Sequence, residues 1–176
     1  PYNFDRFFTS TGYAPNDVIF ANMKNDESGS QIFLDNEFTV FGGQQGDLTI
    51  RSPIVSAGSL RFESPAMLEQ GTKLTVGNNL YLFSAHGHNT TQEFLVGGNF
   101  ALYESYCTTP SNEMNIIGDF YCSKGLKGNV YVNGDMIYKG SANGKVYVNG
   151  DLFIPSCSNP GLDNFTIGGN IYYYDQ

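Results

Sequence analysis

Seven polar residues occupy one equivalent place in a repeating sequence, and they are the first place to look for chemistry: Ser59, Asn79, Asn99, Asp119, Asp135, Asp151 and Asn170. Each follows a small residue in the middle of a short apolar segment. If the segments stack, these side chains form a ladder along one edge of the molecule. Three successive aspartates in such a ladder would repel one another, and a bound Ca²⁺ would relieve the repulsion. Lys124, Lys127, Lys139 and Lys145 fall in the same segments, however, and Asn and Asp at a bend ordinarily bond to neighbouring backbone N–H groups. The reading adopted is therefore a structural corner ladder of Asn79, Asn99, Asp119, Asp135, Asp151 and Asn170, with no metal and no cofactor.

Other reactive types are sparse. His86 and His88 share the loop SAHGHNTT, with no further Cys or His nearby in sequence to complete a zinc site. The three cysteines allow one bridge at most, Cys107–Cys122 or Cys122–Cys157, and Cys122 takes a core position. A cysteine nucleophile would need one of those two histidines as its base. Glu63, Glu69, Glu93, Glu104 and Glu113 fall in separate connections, without the paired spacing that glycosidic cleavage uses. No catalytic residue is assigned, and the chain is read as non-enzymatic.

Composition narrows the partners. A net charge of −8 disfavours nucleic acid, whose phosphates call for a basic face. No apolar run approaches the roughly 18 residues of a membrane span. With 14 Phe, 12 Tyr, 21 Gly and no Trp, the chain favours strands and turns. It opens PYNFDRFF without a signal peptide, which reads as processing or as one piece of a longer protein.

The elements that carry these residues emerge from self-comparison. LTVGNNLYL (74–82), FLVGGNFAL (94–102), MNIIGDFYC (114–122), VYVNGDMIY (130–138), VYVNGDLFI (146–154) and FTIGGNIYY (165–173) share one pattern, with a weaker copy, IVSAGSLRF, at 54–62. Their centres, 58, 78, 98, 118, 134, 150 and 169, lie 16 to 20 residues apart. Asn133-Gly134 resembles a hairpin turn, but a two-residue hairpin would split each apolar set between two faces. One extended segment with a corner at its centre instead points Val130, Val132, Gly134, Met136 and Tyr138 the same way. The expected fold is all-β: a right-handed parallel β-helix of seven or eight rungs, a rod of roughly 35 Å at one rung per ~4.8 Å. Leu126, Ala142, Leu162 and either Met67 or Leu68 are expected to close a third side. An eighth rung is expected at FTVFGGQQGDLTI (38–50), so that the solenoid covers 38–176 and residues 1–37, with a short helix around Asp17–Met23, form a cap.

The V-x-V-x-G-D-Φ-x-Φ units over 74–173 resemble those of bactofilins, bacterial proteins whose right-handed β-helix polymerises without nucleotide, and similar units occur in bacterial surface solenoids. The resemblance implies a parallel β-helix that assembles with other copies.

Outward positions carry the functional expectation. Three residues after the centres come Arg61, Tyr81, Ala101, Tyr121, Ile137, Phe153 and Tyr172; three before come Val55, Thr75, Leu95, Asn115, Tyr131, Tyr147 and Thr166. Aromatic side chains here either stack from rung to rung or meet a partner. Tyr121, Tyr131, Tyr147, Phe153 and Tyr172 are the expected contact surface for self-association, another domain of the same protein, or a glycan. Together with the aromatic last rung, this describes a structural or adhesive module of a bacterial surface or extracellular fibre. The alternatives are a glycan-binding or polysaccharide-cleaving β-helix and a cytoplasmic bactofilin-like polymer.

Overall fold

A computed structural model of the 176-residue chain describes residues 18–19, 32–34, 37–41, 48–50, 53–63, 66–68, 73–83, 85–87, 91–103, 111–123, 125–140, 142–156 and 160–175. The repeat folds as a parallel β-solenoid. Segments preceding each corner build an eight-stranded parallel sheet, the leading sheet: Ile32–Leu34, Ile54–Ser56, Lys73–Val76, Thr91–Val96, Ser111–Ile116, Asn129–Val132, Val146–Val148 and Phe165–Ile167. Segments following the corners build a nine-stranded trailing sheet: Val18–Ile19, Phe38–Phe41, Leu60–Phe62, Leu80–Leu82, Phe100–Leu102, Phe120–Cys122, Met136–Tyr138, Leu152–Pro155 and Ile171–Tyr174. Five coils also carry a strand on the third side, in sheets of three (Leu48–Ile50, Ala66–Leu68, Ala85–Gly87) and two (Leu126–Lys127, Ala142–Asn143).

Parity behaves as the sequence requires. Val130 pairs with Val146 and Val132 with Val148 in the leading sheet, while Met136 pairs with Leu152 in the trailing sheet. No hairpin forms at Gly134. Val130, Val132, Met136 and Tyr138 enter one core with Leu74, Phe94, Phe100, Phe120 and their equivalents, all essentially inaccessible to water. The third side contributes Ile50, Leu68 and Leu126, with Ala142 and Leu162 partly buried against the same core. Ser56, at a core position, is satisfied by donating to the Gly58 carbonyl at 3.3 Å.

The first coil differs from expectation. Residues 38–50 do not make a strand–corner–strand unit. Phe38–Phe41 is a trailing strand in register with Leu60–Phe62, and Leu48–Ile50 lies on the third side against Ala66–Leu68. The leading strand of that coil is Ile32–Leu34, paired with Ile54–Ser56, so the solenoid reaches back at least to residue 32. In the stretch expected to be helical, Val18–Ile19 is extended and pairs with Val40–Phe41; Asp17 and residues 20–23 lie outside the described residues.

The corner ladder sets the register. The backbone N–H of Asn99 donates to Asn79 Oδ1 at 2.8 Å, Asp119 to Asn99 Oδ1 at 2.9 Å and Asp135 to Asp119 Oδ1 at 2.7 Å. Asp151 continues to Asp135 Oδ1 at 2.8 Å and Asn170 to Asp151 Oδ1 at 2.7 Å. Alongside, the corner glycines bond to each other through the main chain, Gly134 N–H to Gly118 O at 2.8 Å and Gly150 N–H to Gly134 O at 2.9 Å. Each ladder oxygen therefore occupies the space that a Cβ on the next coil's small residue would need. A Cβ at Gly150 would overlap Asp135 Oδ1 and stand 2.7 Å from the Gly134 carbonyl oxygen. The exclusion comes from the coil beneath, not from a crowded interior. Asn78, the one non-glycine at such a centre, sits over Ser59, whose shorter side chain accepts from Asn79 N–H at 3.2 Å.

Two stability tests follow. Gly150→Ala should lower stability by about 1–3 kcal/mol through overpacking, whereas Gly161→Ala, with nothing within 4 Å of its Cβ, should leave the urea midpoint nearly unchanged. Tyr138 is fully buried with a hydroxyl that meets no hydrogen-bond partner, and burial, with a smaller contribution from Cys122, pushes that phenol far above its usual range. Since an unpaired buried hydroxyl is unfavourable by roughly 1–3 kcal/mol, Tyr138→Phe should unfold at equal or higher urea. A clear drop in its midpoint would contradict this account.

Candidate functional site

The solenoid gives the outward side chains two separate faces, and their environments differ. On the trailing sheet, Arg61, Tyr81, Ala101, Tyr121, Ile137, Phe153 and Tyr172 run in register from coil to coil. This column is not open to solvent. Tyr81, Ala101, Tyr121, Ile137 and Phe153 form a second apolar cluster, with Tyr103 and Tyr174 packed on its flank, and Tyr121 and Phe153 each expose only 8% of their surface.

The cause is local and chemical. Residues two positions beyond the column share its side of the strand, and several fold over it. Tyr103 meets Tyr121 at 6.2 Å between ring centroids, and Phe153 stacks on Tyr172 at 5.2 Å. The Arg61 guanidinium lies 5.3 Å over the Tyr81 ring and is paired with Glu63, while the Lys139 ammonium lies 5.7 Å over Tyr121. Such contacts contribute about 0.5–1 kcal/mol each at exposed sites and shield the ring faces. Burial raises the Tyr103 phenol above its ordinary range, partly offset by nearby Arg61. Of the expected contact residues, Tyr121 and Phe153 thus belong to a sealed stripe, and Tyr172, 45% exposed, ends it.

The leading sheet presents the opposite case. Its outward column runs Phe33, Val55, Thr75, Leu95, Asn115, Tyr131, Tyr147 and Thr166 in register. Phe33, Leu95 and Tyr131 are exposed, as is Ile117 nearer the corner. Tyr131 and Tyr147 stack with centroids 5.1 Å apart and planes within 2° of parallel, so the structure brings these two expected contact residues together. They border an open groove of about 380 Å³ that is also lined by Asn115, Ile117, Asn133, Asn149, Thr166 and Gly168. Asn115 is held by donating its amide N–H to Glu113 Oε1 at 3.1 Å.

The corner series is structural, since its Oδ1 atoms accept backbone N–H groups. His86 lies in the third-side strand Ala85–Gly87, and His88, Cys107 and Cys157 lie outside the described residues. Cys122 is buried in the core in register with Tyr138, and both of its candidate bridges involve a cysteine outside the described residues. Glu93 pairs with Lys73 at 3.1 Å on the surface. Among the described residues no three His, Cys, Asp or Glu side chains gather as a metal site, and no helix is long and apolar enough to cross a membrane.

Sequence reasoning missed the groove's asparagines. Their signal is visible in retrospect: Asn133 and Asn149 stand two residues after Tyr131 and Tyr147, on the same outward parity, in adjacent coils. No protein-family model, curated protein or solved structure matches the chain; of the resemblance to bactofilins, the structure shows the parallel β-solenoid fold.

Proposed function

We propose that the chain is a non-enzymatic structural and adhesive β-solenoid module, of a bacterial surface or extracellular fibre, that associates with further copies through its open leading face and its edge strand. The observation that carries this reading is the contrast between the two outer faces. The trailing column closes on itself with Tyr103, Tyr174 and two cations, whereas the leading column leaves Phe33 68% and Leu95 41% exposed. Apolar side chains held in a straight line on a stiff sheet form a surface that a second, equally regular surface can cover. The edge strand Ile171–Tyr174 adds Ile171, Tyr172 and Tyr173, all exposed, beside a strand whose parallel pairing is already in register. Six of the described carboxylates support a non-catalytic role: Asp119, Asp135 and Asp151 serve as ladder acceptors, and Glu63, Glu93 and Glu113 partner Arg61, Lys73 and Asn115.

Sedimentation velocity over a range of concentrations tests the association. The unmodified chain should form concentration-dependent oligomers. Phe33→Lys combined with Leu95→Lys, or Tyr173→Lys alone, should shift the population toward monomer without changing the circular dichroism spectrum. A chain that stays monomeric throughout, or double-lysine variants that oligomerise as before, would overturn the reading. Fractionation of the source cells tests the surface location.

A further inference from the structure

We infer that the groove beside Tyr131 and Tyr147 is a binding site for a neutral oligosaccharide lying along the rod axis. The groove shares the leading face with Phe33 and Leu95, but its tyrosines lie two coils or more beyond Leu95, and three of its features select its occupant.

The first is direction. Asn115, Tyr131, Tyr147 and Thr166 occupy one register position in four successive coils, and Ile117, Asn133, Asn149 and Gly168 line the corner side of the same coils. At ~4.8 Å per coil the channel runs roughly 14 Å along the axis. An elongated ligand with a repeat near that of the coils fits it, and one sugar ring of a linear glycan spans about one coil.

The second is the floor. The backbone N–H groups of Ile117, Asn133, Asn149 and Gly168 donate to Val96, Ile116, Val132 and Val148 carbonyls at 2.9, 2.9, 2.9 and 2.7 Å. The groove lies on a sheet face, with its main chain engaged from coil to coil. A peptide adding itself as a strand has no ladder to join there. Recognition falls to side chains: the amides of Asn115, Asn133 and Asn149, the Thr166 hydroxyl and the two tyrosines. Amides and hydroxyls spaced by one coil suit a ligand that carries donors and acceptors on every unit.

The third is charge. Among the described residues no Asp, Glu, Lys or Arg lines the groove, although the chain has 17 acidic and 9 basic residues. A phosphorylated, sulfated or uronic-acid ligand would find no counter-charge. A neutral sugar needs none, and the polarised C–H groups of its ring meet the negative faces of tyrosine rings favourably. At the far end stands Gly168, where a Cβ would overlap the Asn149 carbonyl oxygen.

The chain has no Trp, so a change in the emission of its 12 tyrosines, two of which line the groove, can be followed without tryptophan background. Cellohexaose, chitohexaose and mannohexaose are titrated into the protein, with hexagalacturonate as the charged control, at low and high salt. At least one neutral hexasaccharide should bind saturably, with a tyrosine signal and an affinity insensitive to salt. Tyr147→Ala and, separately, Asn149→Ala should weaken that binding about tenfold or more, while Glu37→Gln, exposed and several coils away, leaves it unchanged. Asn149 is exposed and its substitution leaves the core intact, which separates loss of contact from loss of fold. The titration is repeated on the Phe33→Lys/Leu95→Lys variant, so that a failure of self-association and a failure of sugar binding are read independently. The inference is overturned if none of the three neutral sugars binds, if Tyr147→Ala and Asn149→Ala bind like the unmodified chain, or if only hexagalacturonate binds and does so in a salt-dependent way.

Discussion

The hydrogen bond from a corner N–H to the Asn or Asp side chain one coil below is the constraint on which the rest of the molecule depends. It fixes the vertical alignment of successive coils at their sharpest bend, where sheet pairing alone leaves the backbone free to slide. It also dictates the neighbouring residue, because the accepting oxygen fills the volume of a would-be Cβ at Gly98, Gly118, Gly134, Gly150 and Gly169. With the corners aligned, Val stands over Val and Phe over Phe, and the core becomes columns of matched side chains, as in the stacked Phe100 and Phe120 rings at 4.9 Å.

The same alignment acts on the outside. A column of outward residues is created whether or not it is useful, and the flanking residues decide its fate. Where Tyr103, Lys139 and Tyr174 reach over, the column becomes a second, smaller core. Where Asn133, Asn149 and Gly168 stand beside it, the tyrosines remain accessible and a channel opens. Two faces of one repeat thus acquire different exposure through residues two positions from the column.

The repeat, its parity, the corner ladder and the identity of most core positions were legible in the sequence, because each depends on residue type at a fixed spacing. Leu126, Ala142 and Leu162 were placed on the third side correctly, and Leu68 was one of two choices. The first coil was misplaced for a physical reason: the sequence between the strands Ile32–Leu34 and Phe38–Phe41 contains no glycine of the kind that marks the later corners. The exposure of the outer columns was not legible either. Burial of Tyr121 or Phe153 depends on which neighbouring coil's side chain leans across it, and that is set by distances between coils rather than by order along the chain.

Every coil from Asn79 to Asp151 supplies one acceptor and consumes one donor, always in the same sense along the rod. Such a unit is closed under duplication: an inserted or deleted copy restores the same junction above and below and leaves no polar group stranded. The near-identical segments VYVNGDMIY and VYVNGDLFI, sixteen residues apart, have the form that such an event leaves behind. Rod length in this architecture can therefore change in whole steps over evolutionary time, while the chemistry of every bend stays the same.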